Sequence, residues 1–188
     1  MQVISGEKKG YRIYGPGPEK IRPMRQLVKK ALFDILRQVV PDSKFLDLYT
    51  GTGSVGLEAL SRGASSVTFV DSFSGAIQLV NRNLEKLGYE KKARVYEMNA
   101  RKAIDKFDRR DRRFDVVFLG PPYNEGLAEG TLSQFVGKEV VRRGGLAAVE
   151  VFFKNDLADR YGDLAKIKES TYGQNKLYFY RREMESQQ

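Results

Sequence analysis

Neither cysteine nor histidine occurs anywhere in the chain. The first absence excludes disulfides, zinc–thiolate sites and cysteine nucleophiles. The second removes the commonest general base and the commonest metal ligand, so any chemistry must run without a base titrating near neutral pH, and no metal site is expected. No apolar stretch approaches the roughly 18 residues of a membrane span. The opening "MQVISGEKKG" lacks the continuous apolar core of a signal peptide. The chain therefore reads as cytoplasmic, with no membrane partner. At 188 residues it can bury a real core, and it fits one domain better than two.

Acids are outnumbered, 24 against 33 bases, and the imbalance is concentrated. Residues 1–30 hold Lys8, Lys9, Arg12, Lys20, Arg22, Arg25, Lys29 and Lys30 against only Glu7 and Glu19, which is two-thirds of the net charge of +9. A concentrated basic segment is the usual footprint of a polyanion partner, although a solvated face has the same composition.

Along the chain, "MQVISGEKKGYRIYG" reads as two short strands around Gly6 to Gly10, a small basic hairpin. Leu27, Val28, Ala31, Leu32, Ile35, Leu36 and Val39 then recur at helical spacing, predicting one long amphipathic helix that ends before Pro41. Beyond it strand and helix alternate: "KFLDL", a helix over 54–62, "SVTFVD", a helix over 74–87, "ARVYEM", a helix over 100–107, "FDVVFLG", a helix near 127–141, and "GLAAVEVF". Continuous apolar strands alternating with helices imply a parallel sheet covered on both faces. The two strand-like runs around "TYGQN" add an antiparallel hairpin at the end. The expected architecture is α/β, a doubly wound, mostly parallel seven-stranded sheet.

The first parallel strand runs into "LDLYTGTGSVG", where Gly51, Gly53 and Gly56 form G-x-G-x-x-G between a strand and a helix. Such glycines let the backbone turn tightly and approach a ligand closely. Twenty residues after Gly51 the second strand ends at Asp71, placed to accept from two ribose hydroxyls. The pattern points to a nucleoside-containing cofactor. Asp47, four residues ahead of Gly51, is unwelcome beside a pyrophosphate but suits the cationic amino group of S-adenosylmethionine.

"FLDLYTGTGSVGLEALSRGASSVTFVD" resembles the first cofactor motif of class I S-adenosylmethionine-dependent methyltransferases, most of all the bacterial enzymes that methylate the N2 amino group of a guanine in 16S ribosomal RNA. The resemblance extends over essentially the whole chain, through "ISGEKKGYRI", "IRP…VKKALFDIL", Pro-Pro-Tyr after the fourth strand and "YGQNKLYFYRR". It implies a Rossmann-like methyltransferase domain over residues 23–188 and a basic hairpin extension over residues 1–22. It implies Asp47 near the methionine part of the cofactor, Gly51 and Gly53 against its backbone, Asp71 on the ribose and Asn99 with Ala100 beside the adenine, with Tyr49 and Ser72 also among the cofactor-binding residues. It further implies ribosomal RNA or the small ribosomal subunit as partner; the concentrated charge makes Lys8, Lys9, Arg12, Arg22 and Arg25 the expected docking residues, and the chain is expected to be a monomer. The chain departs from the family pattern twice, with "RPMRQ" in place of two threonines and an aspartate after Arg-Pro, and with Gly120 where Asp, Asn or Ser usually opens the catalytic tetrapeptide.

"GPPY" itself, Gly120, Pro121, Pro122 and Tyr123, is the candidate catalytic element. Two consecutive prolines fix their own φ, lack N–H groups and hold their carbonyls in a preset direction. An exocyclic guanine amine is a poor nucleophile because its lone pair is delocalised into the ring. Acceptors on its protons and an aromatic side chain against the base help free that pair without histidine or cysteine. Two other readings remain open on the residues: a non-catalytic RNA-binding protein on the same fold, and a methyltransferase acting on adenine amino groups. Glu58 and Glu150 are read as structural acids.

Overall fold

The computed structural model describes residues 1–16, 23–123 and 126–184. Arg22 lies outside the described residues, as does Lys20. Four parallel strands, β1 (Lys44–Leu48), β2 (Ser66–Asp71), β3 (Ala93–Glu97) and β4 (Phe114–Leu119), lie in the order β3-β2-β1-β4. β5 (Val141–Phe152) joins β4 in parallel. β8 (Asn175–Arg182) and β7 (Leu164–Tyr172) continue the sheet antiparallel, as the "TYGQN" turn implies.

The sheet has eight strands rather than the expected seven. The addition is β6 (Arg160–Tyr161), which pairs Tyr161 with Leu164 and Arg160 with Ala165 across the two-residue turn Gly162–Asp163. Two residues are too short to show the alternation by which a strand is read.

Successive side chains of a strand face opposite sides, and here each side has its own apolar layer. Phe45, Val67, Phe69, Val116 and Phe118 pack with Val28, Leu32 and Phe33 of α1 (Gln26–Ile35), Leu57 of α2 (Ser54–Ser61) and Val80 of α3 (Ser74–Leu87). Leu46, Leu48, Val117 and Leu119 pack on the other side with Ile104 and Phe107 of α4 (Ala100–Arg109) and Leu132 of α5 (Leu127–Ser133). Each such burial contributes about 1.5–3 kcal/mol before chain entropy is counted. α1 ends at Ile35, so Leu36 to Val40 form turns rather than a last helical turn. α5 is likewise shorter than expected: past Ser133 the backbone runs in i→i−3 turns, and Gly137, at φ +72, redirects it ahead of β5.

The amino-terminal segment is not a two-stranded ladder. It has a single antiparallel bridge, Gln2 with Arg12, and its middle is fastened to α2. Glu58, fully buried, accepts from the N–H groups of Ile4 and Ser5 at 2.7 and 2.9 Å and pairs with Lys29 and Arg62 at 3.5 and 2.8 Å. Burial holds the Lys29 ammonium below its ordinary pKa, and Glu58 opposes that shift. Ser61 donates to the Ser5 carbonyl and accepts from the Lys8 N–H. Gly6, at φ +86, fits because a Cβ there would stand 1.8 Å from the Ser61 carbonyl oxygen. Two of the segment's apolar members, Val3 and Ile13, belong to the first apolar layer.

Candidate active site

The chain builds outward from β1 through β2 to β3, then returns to place β4 on the other side of β1. That reversal opens a crevice outside the carboxyl ends of β1 and β4, the usual ligand position in such sheets. Tyr49 to Gly53 form one wall. Tyr49, Gly51 and Gly53 have φ of +61, +53 and +75, and the tyrosine is held in this disfavoured region by a 2.7 Å bond between its hydroxyl and Thr131 of α5. The loop is fixed to β2, with the Thr50 N–H on the Val70 carbonyl and the Gly51 N–H on Asp71 at 2.9 Å. Gly56 must lack a side chain, since its Cβ would fall 2.3 Å from the Phe69 ring.

Asp47 sits beneath this loop, 1% exposed. Its Oδ2 accepts from the Thr50 hydroxyl at 2.8 Å and the Gly56 N–H at 2.9 Å. Its Oδ1 is buried and has no partner. Burial pushes the carboxyl up to about 7, against the two hydrogen bonds and with a smaller contribution from Asp71. A buried acceptor with an open lone pair and an unrelieved charge suits a cationic ligand group.

Asp71 closes the far side of the loop, accepting from Gly51 through one oxygen and from Phe73 N–H through the other at 3.0 Å. Each carboxylate oxygen keeps a further lone pair. Ser72 is exposed, and Phe73 beside it is an exposed aromatic. Asn99 lies next to Asp71, since the Met98 N–H bonds the Asp71 carbonyl. Its side chain caps α4 by accepting from Arg101 N–H, and Ala100 is buried behind it.

The opposite wall is the end of β4. Gly120 donates its N–H to the Leu48 carbonyl at 3.2 Å, so "GPPY" begins directly beside the glycine loop. Pro121 is buried, Pro122 exposed and Tyr123 half-buried. The Tyr123 hydroxyl donates to Glu150 at 3.2 Å, and Asn175 at the start of β8 donates to both. The Tyr123 ring stands 5.9 Å from Phe152 at a tilt of 41°. Gly120 is not held at a positive φ, but a Cβ there would lie 2.9 Å from the Phe118 ring two residues earlier on the same face.

The residues proposed for cofactor and catalysis thus gather around one crevice. Of the described basic residues, Lys8, Lys9 and Arg12 lie away from it. Lys8 leans on Tyr11 and Tyr89 at the carboxyl end of α2, a helix length of ~12 Å from the glycine loop. Lys9 and Arg12 are exposed. Arg25 is exposed beside Gly173, in the β7–β8 turn close to Asn175.

The family described as Conserved hypothetical protein 95 matches residues 1–181. The chain belongs to this family. It is 28% identical to the ribosomal RNA small subunit methyltransferase D of Escherichia coli over 187 residues, covering all of this chain and 92% of that one. It is 33% identical to a Bacillus subtilis protein provisionally named an rRNA methyltransferase, over 97% of this chain and 99% of that one. Among solved structures, an Escherichia coli protein provisionally named a methyltransferase superposes with a TM-score of 0.85 at 30% identity, over 97% and 98% of the two chains.

Within this family member two buried asparagines carry parts of the site that the sequence did not reveal. Asn83 of α3 accepts from Tyr14 N–H at 2.7 Å and donates to the carbonyls of Tyr14 and Thr52, tying the basic segment to the glycine loop. Asn175 orders Tyr123 against Glu150. Asn83 stands on a helix face with no motif to mark it, and Asn175 falls within "YGQNKLYFYRR", a stretch whose resemblance to the family assigns it no role. Glu58 is structural, as read, but its partners are the amino-terminal segment rather than the crevice.

Proposed function

We propose that this chain transfers a methyl group from S-adenosylmethionine to the N2 amino group of a guanine in small-subunit ribosomal RNA, acting as a cytoplasmic monomer. The observation that carries the reading is the full-length similarity to a relative named for that ribosomal RNA subunit. The crevice supports it in detail. The unpartnered Oδ1 of Asp47 fits the ammonium of the methionine moiety. Asp71, with a lone pair left on each oxygen, fits the ribose hydroxyls, and Asn99 with Ala100 borders the adenine side.

The cofactor, when bound, supplies an electrophilic sulfonium methyl group. The chain's own task is to present the amine. Backbone carbonyls of Gly120, Pro121 and Pro122 accept from its protons, a role that needs no side chain at position 120. Tyr123 lies against the base, its ring angle set by Glu150 and Asn175. The absence of histidine is no obstacle, because methylation acidifies the amine and its proton can pass to water.

The test is incubation with methyl-labelled cofactor and undermethylated small-subunit RNA or subunits, followed by nucleoside analysis. Label in N2-methylguanosine is the expected result. Label in N6-methyladenosine would move the substrate to adenine, and RNA binding without transfer would leave only a binding protein.

A further inference from the structure

A second concavity, this one basic, lies at the opposite end of the sheet from the crevice. Where β1, β2, β3 and β4 begin, the chain encloses a cavity of about 340 Å³ lined by Lys44, Lys91, Lys92, Arg94, Arg112 and Arg113, with Asp111 the acid among its lining residues. These bases differ in what they do. Arg112 is a structural floor, donating to Tyr96 and Thr68 and lying 4.8 Å from the Phe107 ring centre. Arg113 neutralises Asp111 and Glu139 at 2.5 and 2.6 Å. Lys44, Lys91, Lys92 and Arg94 are exposed and, among the described residues, form no ion pair. Glu85 and Glu90 line the neighbouring hollow on α3 instead. Four unneutralised cations on a polar concave wall form a site for a chain of anions.

The amino-terminal bases approach the same end of the sheet. Lys8 lies 6.0 Å from the ring of Tyr89, the residue that leads into Lys91 and Lys92. We infer that this cleft is a second RNA-docking site, in which Lys44, Lys91, Lys92 and Arg94 take the phosphate backbone of the substrate far from the base being methylated. The inference rests on the reading of the chain as an RNA methyltransferase and adds the shape of the substrate. β1 alone separates the cleft from the crevice by ~16 Å, about five duplex steps of 3.4 Å. A substrate touching both ends is folded RNA that wraps one edge of the sheet, not an isolated nucleotide.

The test is equilibrium binding of protein-free small-subunit RNA across a salt series, using wild type, the triple variant Lys91→Glu/Lys92→Glu/Arg94→Glu, and the milder triple Lys91→Gln/Lys92→Gln/Arg94→Gln. All three positions are exposed, and cofactor binding checks that each variant is folded. Removal of about three phosphate contacts should lower the slope of log K against log salt by about 2–3 and weaken binding about tenfold or more in dilute salt, with cofactor affinity unchanged. An unchanged slope in both folded variants overturns the inference. So does a deficit seen with intact subunits but not with protein-free RNA, which would assign the cleft to a ribosomal protein. Wild type that binds RNA with the full slope but transfers no methyl group would sink the methylation reading and leave the cleft standing.

Discussion

Replacing Asp47 with Asn separates what this residue does for the fold from what it does for the ligand. In the folded chain burial pushes its carboxyl from 3.8 up to about 7. Between about pH 4 and pH 7 the folded chain therefore holds a proton that the unfolded chain has released, and stability falls as pH rises through that window. A shift of about three pKa units corresponds to about 4 kcal/mol in full above pH 7, of which about 2 kcal/mol develops between pH 5.5 and pH 8. Asparagine can keep both bonds from Thr50 and Gly56 through its carbonyl but places an NH2 where Oδ1 now has no partner. That unsatisfied donor costs about 1–3 kcal/mol, so the variant should be about 1–3 kcal/mol more stable than wild type at pH 8. Its affinity for S-adenosylmethionine should fall about 10- to 100-fold, the worth of a charge-assisted bond, because the NH2 now faces the ammonium. Urea unfolding of both proteins at pH 5.5 and pH 8, with calorimetric titration of the cofactor, measures all of this. The pH dependence of groups remote from Asp47 cancels in the difference between the two proteins, and its coupling to Asp71 is the smaller contribution. A difference that does not change with pH, or a variant that binds cofactor as tightly as wild type, would refute the reasoning.

Glu58→Gln leaves Lys29 buried without its anion and loosens the amino-terminal segment, at a cost of about 3–5 kcal/mol; Tm should drop by roughly 10 °C in a thermal melt. Tyr123→Phe keeps the ring but loses the bonds to Glu150 and Asn175, and single-turnover methylation should slow by less than about tenfold, against about 100-fold for Tyr123→Ala. Gly120→Asn brings in an acceptor but forces the Phe118 ring aside, so it should destabilise by about 1–3 kcal/mol in urea melts. Paired with Phe118→Leu, it should recover stability and exceed wild-type turnover; a double variant no faster than wild type would show that backbone acceptors suffice. Replacing Lys8, Lys9 and Arg12 together should flatten the salt dependence of RNA binding while leaving cofactor affinity intact.

The elements that position the crevice were readable because they rest on local signals. Continuous apolar strands, with β2 ending in Asp71, β4 running into Gly120 and β1 leading into the glycine-rich stretch, locate these elements and the loop after β1 almost to the residue. What could not be read depends on contacts between distant segments. Glu58 looks like any polar residue on a helix until the amino terminus folds back onto it. Asn83 and Asn175 meet their partners across 69 and 52 positions of sequence. The cleft at the amino ends of the strands gathers its bases from three separate segments, one of which, "DKFDRRDRRFD", reads only as a solvated helix end and loop.

Gly120 shows why a departure from a family pattern needs its packing before it can be interpreted. By sequence alone the glycine is a missing acceptor. In the fold it is half of a pair, because Phe118 lies on the same face and its ring fills the space where a Cβ would begin. Phe118 in turn is 3% exposed and belongs to the apolar layer over α1, α2 and α3. A larger residue at 120 therefore competes with the core, and the backbone is left as the source of acceptors at the end of β4. Two prolines stiffen that backbone, and Asn175 with Glu150 fixes the tyrosine that follows. Every side of the position where the amine must sit is thus set by groups other than a side chain at 120.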